Sequence, residues 1–439
     1  PIDSVYWNGP QSTINMGKSG LLTPSSYNVI NKSGVVTVDG EYINSSTTNN
    51  AITFKSLVIY AGAEIVIESG KTLNILNDLV LHSDANNGTA TFYNKGGILN
   101  VGGKTIVEQY LTSGRFWYIA SPIPSCTFTA PSGTQQWIWN EPAQNYIKGG
   151  STASGQGFVV YPGSSGITNF IGDKGTTFNF ADVTRTLTNT PGNEYTGLSI
   201  VGNPYPAYLD WKQVYNANPT INATMAYSIN GNAATYNALS TYANGGLQYV
   251  PPMQAIWVRA SAQTELTMKN SYCVSRGGID ETNLKSDVET DSEKSKILRL
   301  KVANGNYTDE QVLLFNSQAE NNFDLWDSEK MFAEVDLFPQ IYTTVDAKKL
   351  IINSMKDIDT TNKIAMYFTT KHAGNFTIKA SGMNGFDGYK IFLKDKSTNK
   401  LVDLSIDSVY SFESPITADN DRFEISLKTF KEETGNTVT

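Results

Sequence analysis

The sequence predicts an all-β protein in which a short N-terminal parallel β-helix (a solenoid) is followed by two antiparallel β-sandwich or jelly-roll domains. Gly, Asn, Thr and Ser are frequent and only 17% of the residues are charged, a composition that favours short strands and turns over helices. Apolar and polar residues alternate in short runs, as they do in half-buried strands. A chain of 439 residues also exceeds the size at which one hydrophobic core keeps growing, so more than one core is expected.

Residues 1–112 carry the pattern of a solenoid. From Ala51 to Tyr110, apolar pairs such as Leu57/Ile59 recur at steps of roughly six to eight residues, with Gly or Asn turns between them. Strands this short cannot bury a face alone, and stacking successive coils is the economical way to do so. A meandering β-sandwich is the alternative, because the residues do not repeat strictly.

Residues 113–279 change to longer aromatic runs. The four runs are Phe116–Ile119, Trp137–Trp139, Phe158–Tyr161 and Ala255–Val258. Pro-rich corners lie between them, and proline fixes φ and cannot continue a central strand. This segment therefore predicts an aromatic-rich antiparallel sandwich with long loops.

The C-terminal part predicts a linker, a sandwich and a tail. Residues 280–296 are rich in acids and contain no aromatic residue, so they predict a solvated acidic linker. Residues 297–430 contain roughly seven or eight alternating runs, the size of a β-sandwich or jelly roll. Residues 431–439 predict the start of a further linker.

The charge of the chain argues against two classes of partner. The formal net charge is −8 and the pI is near 5.0. Such a chain is repelled by phosphate backbones and by anionic lipid, so no nucleic-acid partner is expected. No apolar run reaches the roughly eighteen residues of a membrane-spanning helix, so the protein is predicted not to be membrane-embedded.

No catalytic site is predicted. The chain has two histidines, His82 and His372, which fall in different predicted domains, and it has no GxSxG nucleophile motif. The sequence also lacks the His/Cys clusters of zinc sites. We therefore expect a non-enzymatic protein without a cofactor, with calcium as the one candidate ion.

The candidate calcium ligands are four carboxylates of the third domain. They are Asp309, Asp324, Asp327 and Glu329, which lie close in sequence. Hard cations prefer oxygen ligands contributed by loops. Because EF-hand spacing is missing, solvated turns and a helix cap at Asp327 are the favoured interpretation.

The two cysteines are a candidate disulfide. Cys126 and Cys273 lack the CxxC spacing of a zinc or redox site. Cys126 follows the first strand of the 113–279 segment and Cys273 lies on its last strand, so one bridge would close that segment. Two buried free thiols are an equal alternative.

Four aromatic residues are candidates for ligand contact. Trp137 and Trp139 share one face of a strand and are the pair expected to be exposed together. Tyr205, in the Gly202–Pro206 corner, and Trp211 complete the candidate set. Core packing is the competing and favoured interpretation, since aromatic area usually serves packing.

Several stretches together resemble surface proteins that the type IX secretion system of Bacteroidota exports. The stretches are RFWYIASPI at Arg115 to Ile123, SIVGNPYPAYLDW at Ser199 to Trp211, VPPMQAIWVRA at Val250 to Ala260, NYTDEQVLLFNSQA at Asn306 to Ala319, and FDLWDSEKMF at Phe323 to Phe332. The resemblance implies export to the cell surface. It also implies that residues 431–439 begin the linker to a C-terminal sorting domain outside this chain, through which the secretion machinery is a partner. It implies no catalytic residues.

The sequence thus predicts a secreted cell-surface adhesin or structural stalk segment that contacts an extracellular glycan or protein surface. The alternative is a carbohydrate-binding accessory region of a larger secreted polysaccharide-degrading enzyme.

Overall fold

The computed structural model describes residues 51–192, 195–276, 279 and 295–430, together with the backbone of six strands between Ser4 and Asn49; the side chain of Ile52 is outside the description. The described residues are nearly all β, so the predicted all-β class is confirmed. The predicted acidic linker 280–296 lies outside the described residues except for its last two. The predicted tail 431–439 also lies outside them.

The chain divides into two compact units. Unit 1 comprises Pro1–Asn222 and Gln248–Leu284, and unit 2 comprises Ala223–Leu247 and Lys285–Thr439. The predicted border between residues 112 and 113 therefore falls inside unit 1. Residues 223–247, which the sequence analysis placed in the aromatic-rich segment, belong to unit 2.

The first part of unit 1 consists of sixteen named strands. They are β1 (Ser4–Trp7), β2 (Ser12–Thr13), β3 (Asn28–Asn31), β4 (Val35–Val38), β5 (Tyr42–Asn44), β6 (Thr47–Asn49), β7 (Ala51–Phe54), β8 (Ser56–Ile59), β9 (Glu64–Ile67), β10 (Thr72–Ile75), β11 (Leu79–Leu81), β12 (Ser83–Asp84), β13 (Gly88–Thr89), β14 (Thr91–Asn94), β15 (Ile98–Val101) and β16 (Thr105–Leu111).

Most of these strands pair in parallel, in three separate sheets. The orders are β1-β3-β8-β11-β16, β2-β4-β9-β14 and β7-β10-β15. Leu57 pairs with Leu79 and Leu79 with Thr105, so successive partners are 22 and 26 residues apart. Four residues of the predicted pairs, Leu57, Ile59, Leu79 and Leu81, are fully buried. We call this array the parallel stack.

The rest of unit 1 contains thirteen strands and two short helices. They are β17 (Trp117–Ile119), β18 (Cys126–Thr129), β19 (Gln135–Asn140), β20 (Asn145–Lys148), β21 (Phe158–Tyr161), β22 (Gly166–Gly172), β23 (Val183–Leu187), β24 (Leu198–Gly202), β25 (Tyr208–Asp210), α1 (Trp211–Ala217), β29 (Tyr249–Val250), β30 (Ala255–Ala260), β31 (Thr264–Met268), a 3₁₀ helix (Asn270–Tyr272) and β32 (Cys273–Val274).

Two antiparallel strands from this second part cover the end of the parallel stack. β22 pairs with β16, with Val107 opposite Phe170, and β18 then pairs with β22. One core runs across this junction, because Leu79, Val107 and Phe170 belong to a single cluster of buried side chains. The pairing covers a strand edge that would otherwise be open to other chains. It also explains why residues 112 and 113 do not separate two units.

Unit 2 contains three strands of the inserted segment and eleven of the C-terminal segment. They are β26 (Ile221–Ile229, of which the first two residues count with unit 1), β27 (Asn232–Asn237), β28 (Tyr242–Ala243), β33 (Lys296–Asn304), β34 (Tyr307–Phe315), β35 (Ser328–Glu329), β36 (Gln340–Val345), β37 (Lys348–Met355), β38 (Lys363–Thr370), β39 (Gly374–Asn384), β40 (Tyr389–Asp395), β41 (Lys400–Asp403), β42 (Val409–Ser414) and β43 (Thr417–Thr429).

The C-terminal strands form one nearly closed sheet. Its order is β41-β40-β43-β38-β36-β37-β34-β33-β39-β42, with β35 beside β37. A buried polar group links strands near its two ends: Arg422 donates to both oxygens of Asp395 at 3.0 and 2.8 Å, and the Tyr410 hydroxyl donates to Asp395 at 2.8 Å. Burial opposes ionisation of Asp395, but these hydrogen bonds hold its pKa below the ordinary value.

Hydrogen bonds from asparagines fasten the inserted hairpin 223–247 to the rest of unit 2. Asn237 donates to the carbonyls of Leu325 and Asp327, and Asn232 donates to the carbonyl of Thr308. Asn244 donates to Asp309 at 2.7 Å. Such bonds are costly to lose, since a buried acceptor left without a donor costs about 1–3 kcal/mol.

We predict that residues 285–439 do not fold cooperatively as an isolated fragment. Without the hairpin, Asp309 loses a donor, and Val312 and Ile352 lose the cover of Ala243, with which they share a small core. Circular dichroism should show a broad thermal transition, and a synthetic peptide of residues 223–247 should sharpen it and raise its midpoint. An equally sharp transition with and without the peptide would contradict the role assigned to the hairpin.

Candidate functional site

Several aromatic side chains of unit 1 lie on or beside one face of the sheet β17-β21-β19-β20. In β19, Ile138 packs against the core while Trp137 and Trp139 point the other way, as alternation along a strand requires. The register places Trp139 opposite Tyr146 on β20. We define the aromatic face as Phe116, Trp137, Trp139, Tyr146, Tyr161 and Tyr195.

The rings of the aromatic face form two groups. Phe116 lies 5.1 Å from Tyr161 and 6.0 Å from Trp137, measured between ring centroids. Trp139 lies 5.2 Å from Tyr146 and 5.9 Å from Tyr195 in edge-to-face contacts. Phe116 is 39% exposed and the two tyrosines of the second group are each 45% exposed, so several rings reach solvent together.

Trp139 is the fixed base of the second group. Its indole N–H donates to the carbonyl of Leu198 at 2.6 Å, and its ring meets Trp257 edge to face at 5.6 Å. Trp257 is only 7% exposed, so Trp139 rests on the interior. The prediction that Trp137 and Trp139 share a face is confirmed, and both are half-buried. Tyr146 and Tyr195 are more exposed than either tryptophan and offer the ring area to a partner.

Glu141 holds the loop that carries Tyr195. This buried carboxylate follows β19 and accepts hydrogen bonds from the backbone N–H groups of Thr190 and Gly197, each at 2.8 Å. Desolvation acts to raise the pKa of Glu141, but the hydrogen bonds outweigh it and leave the pKa below its ordinary value. A charged buried group thus fixes one side of the aromatic face, which reduces the entropy lost on binding.

Sequence reasoning did not find Phe116, Tyr146, Tyr161 or Tyr195 as members of this face. Tyr146 could have been predicted from the sequence, because a turn at Glu141–Gln144 between two alternating runs indicates a hairpin that pairs Trp139 with Tyr146. Tyr195 had no such signal. Its loop is held by the hydrogen bonds that Glu141, a residue distant in sequence, accepts from Thr190 and Gly197.

The other two aromatic candidates, Tyr205 and Trp211, are packed in the interior, so the favoured core-packing interpretation holds for both and neither is a contact residue. Tyr205 is fully buried, and its hydroxyl donates to the carbonyls of Met268 and Ala181 at 2.7 and 3.0 Å. Trp211 is 1% exposed at the start of α1, which Asp210 caps. Neither ring can meet a ligand without unpacking the interior.

The cysteines are free, so the predicted disulfide does not form. Cys126 lies on β18, which extends the sheet of the parallel stack, whereas Cys273 lies on β32, which pairs with β25. The two residues therefore belong to different sheets. Burial raises the pKa of both thiols, which keeps them protonated and unreactive.

The four predicted calcium ligands have protein partners. Asp309 and Lys330 form an ion pair at 2.6 Å with no exposed side-chain surface, and Glu329 pairs with Lys348. Asp327 accepts from the backbone N–H groups of Ser354 and Asp324. Within the part of the chain that the structure describes, no three His, Cys, Asp or Glu residues are arranged to hold a metal ion. The predicted ligand set is not assembled there.

Comparison with known proteins gives one match. A family model described as a domain of unknown function (DUF8693) covers residues 6–427. The chain belongs to the DUF8693 family. The DUF8693 match runs through both units, so the inserted hairpin and the sheet that it joins lie within one family unit. No curated protein and no solved structure shows a significant match. In the described segments of this DUF8693 chain, no helix has the length and apolar character needed to cross a membrane.

We predict that Trp139→Ala lowers the free energy of unfolding of unit 1 by about 3 kcal/mol, because it removes a large packed side chain and leaves the Leu198 carbonyl without its donor. Tyr146→Ala, at an exposed position, should cost about 1 kcal/mol or less. Urea denaturation followed by circular dichroism measures both. Equal losses for the two variants would show that Trp139 is not the fixed base.

We also predict that the stability of unit 2 falls as the pH rises from about 4 to about 7. Burial raises the pKa of Asp327 to about 7. Between these pH values the folded state keeps a proton on Asp327 that the unfolded state has already lost. The free energy of unfolding therefore decreases as the pH rises towards the folded-state pKa, by about 3 kcal/mol.

Trp326 provides the measurement, since it is the only tryptophan in the sequence of unit 2. Fluorine NMR of fluorotryptophan-labelled protein in urea should show the pH-dependent loss, and Asp327→Asn should flatten it. Parallel pH profiles for the variant and the wild type would rule out Asp327 as the titrating group.

Proposed function

We propose that this chain is a secreted, non-catalytic cell-surface protein of the adhesin or stalk type, and that the aromatic face is its contact surface. The observation that carries the proposal is a set of partly exposed rings on and beside one sheet, with Phe116, Tyr146 and Tyr195 each between 39% and 45% exposed. Aromatic residues are enriched in contact surfaces because they supply large area at low entropic cost.

We further propose that the parallel stack is a short β-helix and that the sheet of unit 2 closes into a sandwich. The regular spacing of parallel partners in three sheets supports the first idea. The second is supported by β36, whose first half pairs with β38 and whose second half pairs with β37. Such elements satisfy their backbone hydrogen bonds internally and resist bending, which suits a stalk.

The extracellular location and the type IX export route remain part of this proposal. They are supported by the resemblance in the stretches Arg115 to Ile123 and Ser199 to Trp211. The first stretch contributes Phe116 to the aromatic face, and the second contains the buried corner at Tyr205. The resemblance therefore draws on residues of both kinds, contact and core.

A carbohydrate-binding accessory role is the second candidate, and a specific observation favours it. Trp137, Tyr146 and Tyr195 are partly exposed on one face, and flat rings on a sheet suit the stacking of sugar rings. Gln135 and Lys148 flank Trp137 on neighbouring positions of β19 and β20 and would supply polar contacts to hydroxyl groups. The partner is then a polysaccharide rather than a protein surface.

The experiment is a binding screen on a glycan array and on immobilised extracellular proteins. We expect Trp137→Ala, Tyr146→Ala and Tyr195→Ala each to weaken binding about five- to thirtyfold, as truncation of an aromatic anchor does. Tyr60→Ala is the matched control, because Tyr60 is 40% exposed and lies outside the aromatic face. If the substitutions weaken binding to glycans but not to proteins, the carbohydrate role is favoured. Partner binding that none of the three substitutions weakens would overturn the proposed surface.

A further inference from the structure

Unit 2 buries an amine and a carboxyl group against each other. The side-chain nitrogen of Lys330 lies 2.6 and 2.7 Å from the two oxygens of Asp309, and neither side chain has exposed surface. Asp309 lies on β34, opposite Val302 on β33, and Lys330 directly follows β35. Val302 is fully buried in the large cluster of apolar side chains of unit 2. The pair therefore lies in an apolar setting from which water is excluded.

This setting opposes the charged form of the amine. A lysine ammonium has three N–H groups, and in the described part of the chain its acceptors are the two oxygens of Asp309 alone. One N–H group is thus left without an acceptor at a site that solvent does not reach. Burial lowers the pKa of Lys330, although Asp309 acts in the opposite direction. Transfer of one proton from Lys330 to Asp309 removes both buried charges and leaves a neutral amine, which is a nucleophile.

The carboxyl group of Asp309 is held as an electrophile. Its Oδ1 accepts from the side-chain amide of Asn244 at 2.7 Å, and its Oδ2 accepts from the backbone N–H of Ile341 at 2.8 Å. Donors placed in this way stabilise the negative charge that an oxygen gains when a nucleophile adds to its carbon. Asn244 is itself fixed, since its backbone N–H donates to Glu310 and its amide also donates to the Ala233 carbonyl, each at 2.9 Å.

We propose that Lys330 and Asp309 condense after folding to an amide, an intramolecular isopeptide bond. The neutral amine of Lys330 attacks Cγ of Asp309, so an Nζ–Cγ bond forms. The tetrahedral adduct then breaks one Cγ–O bond, and that oxygen leaves as water with the carboxyl proton and one proton of the amine. Nothing is oxidised or reduced, and no co-reactant is required. The oxygen that stays becomes an amide carbonyl, whose two lone pairs accept from Asn244 and Ile341.

Proximity and the exclusion of water favour this step. Two groups held in a reactive geometry behave as if one were present at an effective concentration of about 10⁵–10⁸ M. Water is a product of the condensation, so a site without solvent also disfavours the reverse reaction. The new bond joins β34 to the residue after β35 and closes a loop of the unfolded chain, as a disulfide does. A cross-link of this kind stabilises unit 2 without using a cysteine.

Mass spectrometry of the denatured full chain tests the proposal. The intact mass should be lower than that of the sequence by one water molecule. Trypsin should fail to cleave after Lys330, because its amine is no longer free, and the fragment that contains both residues should carry the loss. Lys348 is the matched control in the same digest. It pairs with Glu329 at 2.5 Å, but its side chain is 38% exposed, so it should stay unlinked and be cleaved.

Two variants identify the reacting groups. Lys330→Arg should keep the full mass of its sequence, because a guanidinium group stays protonated and is not a nucleophile. Asp309→Asn should form the same amide by losing ammonia instead of water. The linked variant should therefore have the same mass as the linked wild type.

Three outcomes would overturn the proposal. The first is a wild-type mass equal to that of the sequence, with cleavage after Lys330, which would leave an ordinary buried ion pair. The second is a loss of water that persists in Lys330→Arg. The third is a loss confined to Asp387–Gly388, where an aspartyl succinimide would form and Lys330 would remain cleavable. None of these outcomes bears on the aromatic face, which belongs to unit 1.

Discussion

The pairing of β16 with β22 is the contact on which the rest of unit 1 depends. Parallel strands as short as Leu79–Leu81 bury one face only when they are stacked, and a stack has two ends at which backbone groups lack partners. β22 covers one of them with antiparallel hydrogen bonds and places Phe170 in the core of the stack. The aromatic-rich segment therefore caps one end of the parallel stack, and the folding of the two is coupled.

The aromatic face follows from the same constraint. Phe158 and Val160 on β21 and Ile138 on β19 face the shared core, and alternation then turns Trp137 and Trp139 outward. The face is as rigid as the core behind it. Unit 2 relies instead on buried polar contacts. Asn244 binds Asp309 and holds the inserted hairpin, and Asp395, bound by Arg422 and Tyr410, links strands near the two ends of the sheet.

The sequence was informative wherever local alternation decides structure. The burial of Leu57 and Ile59, and the common face of Trp137 and Trp139, follow from the period of two along a strand. It was uninformative where distant residues decide. Tyr205 looked like a loop residue because prolines flank it, yet its hydroxyl bonds to Met268, 63 residues away, make it core. The hairpin 223–247 joins unit 2 through partners at Thr308 and Asp327, which no local pattern reveals.

Native-state hydrogen exchange tests the coupling of stack and cap most directly. If the account is right, the amides of β11, β16 and β22 exchange through one cooperative opening, with free energies that agree within about 1 kcal/mol. A parallel stack that opens with a clearly lower free energy than β22 would contradict it, because the stack would then be a separate domain that the antiparallel strands merely adjoin.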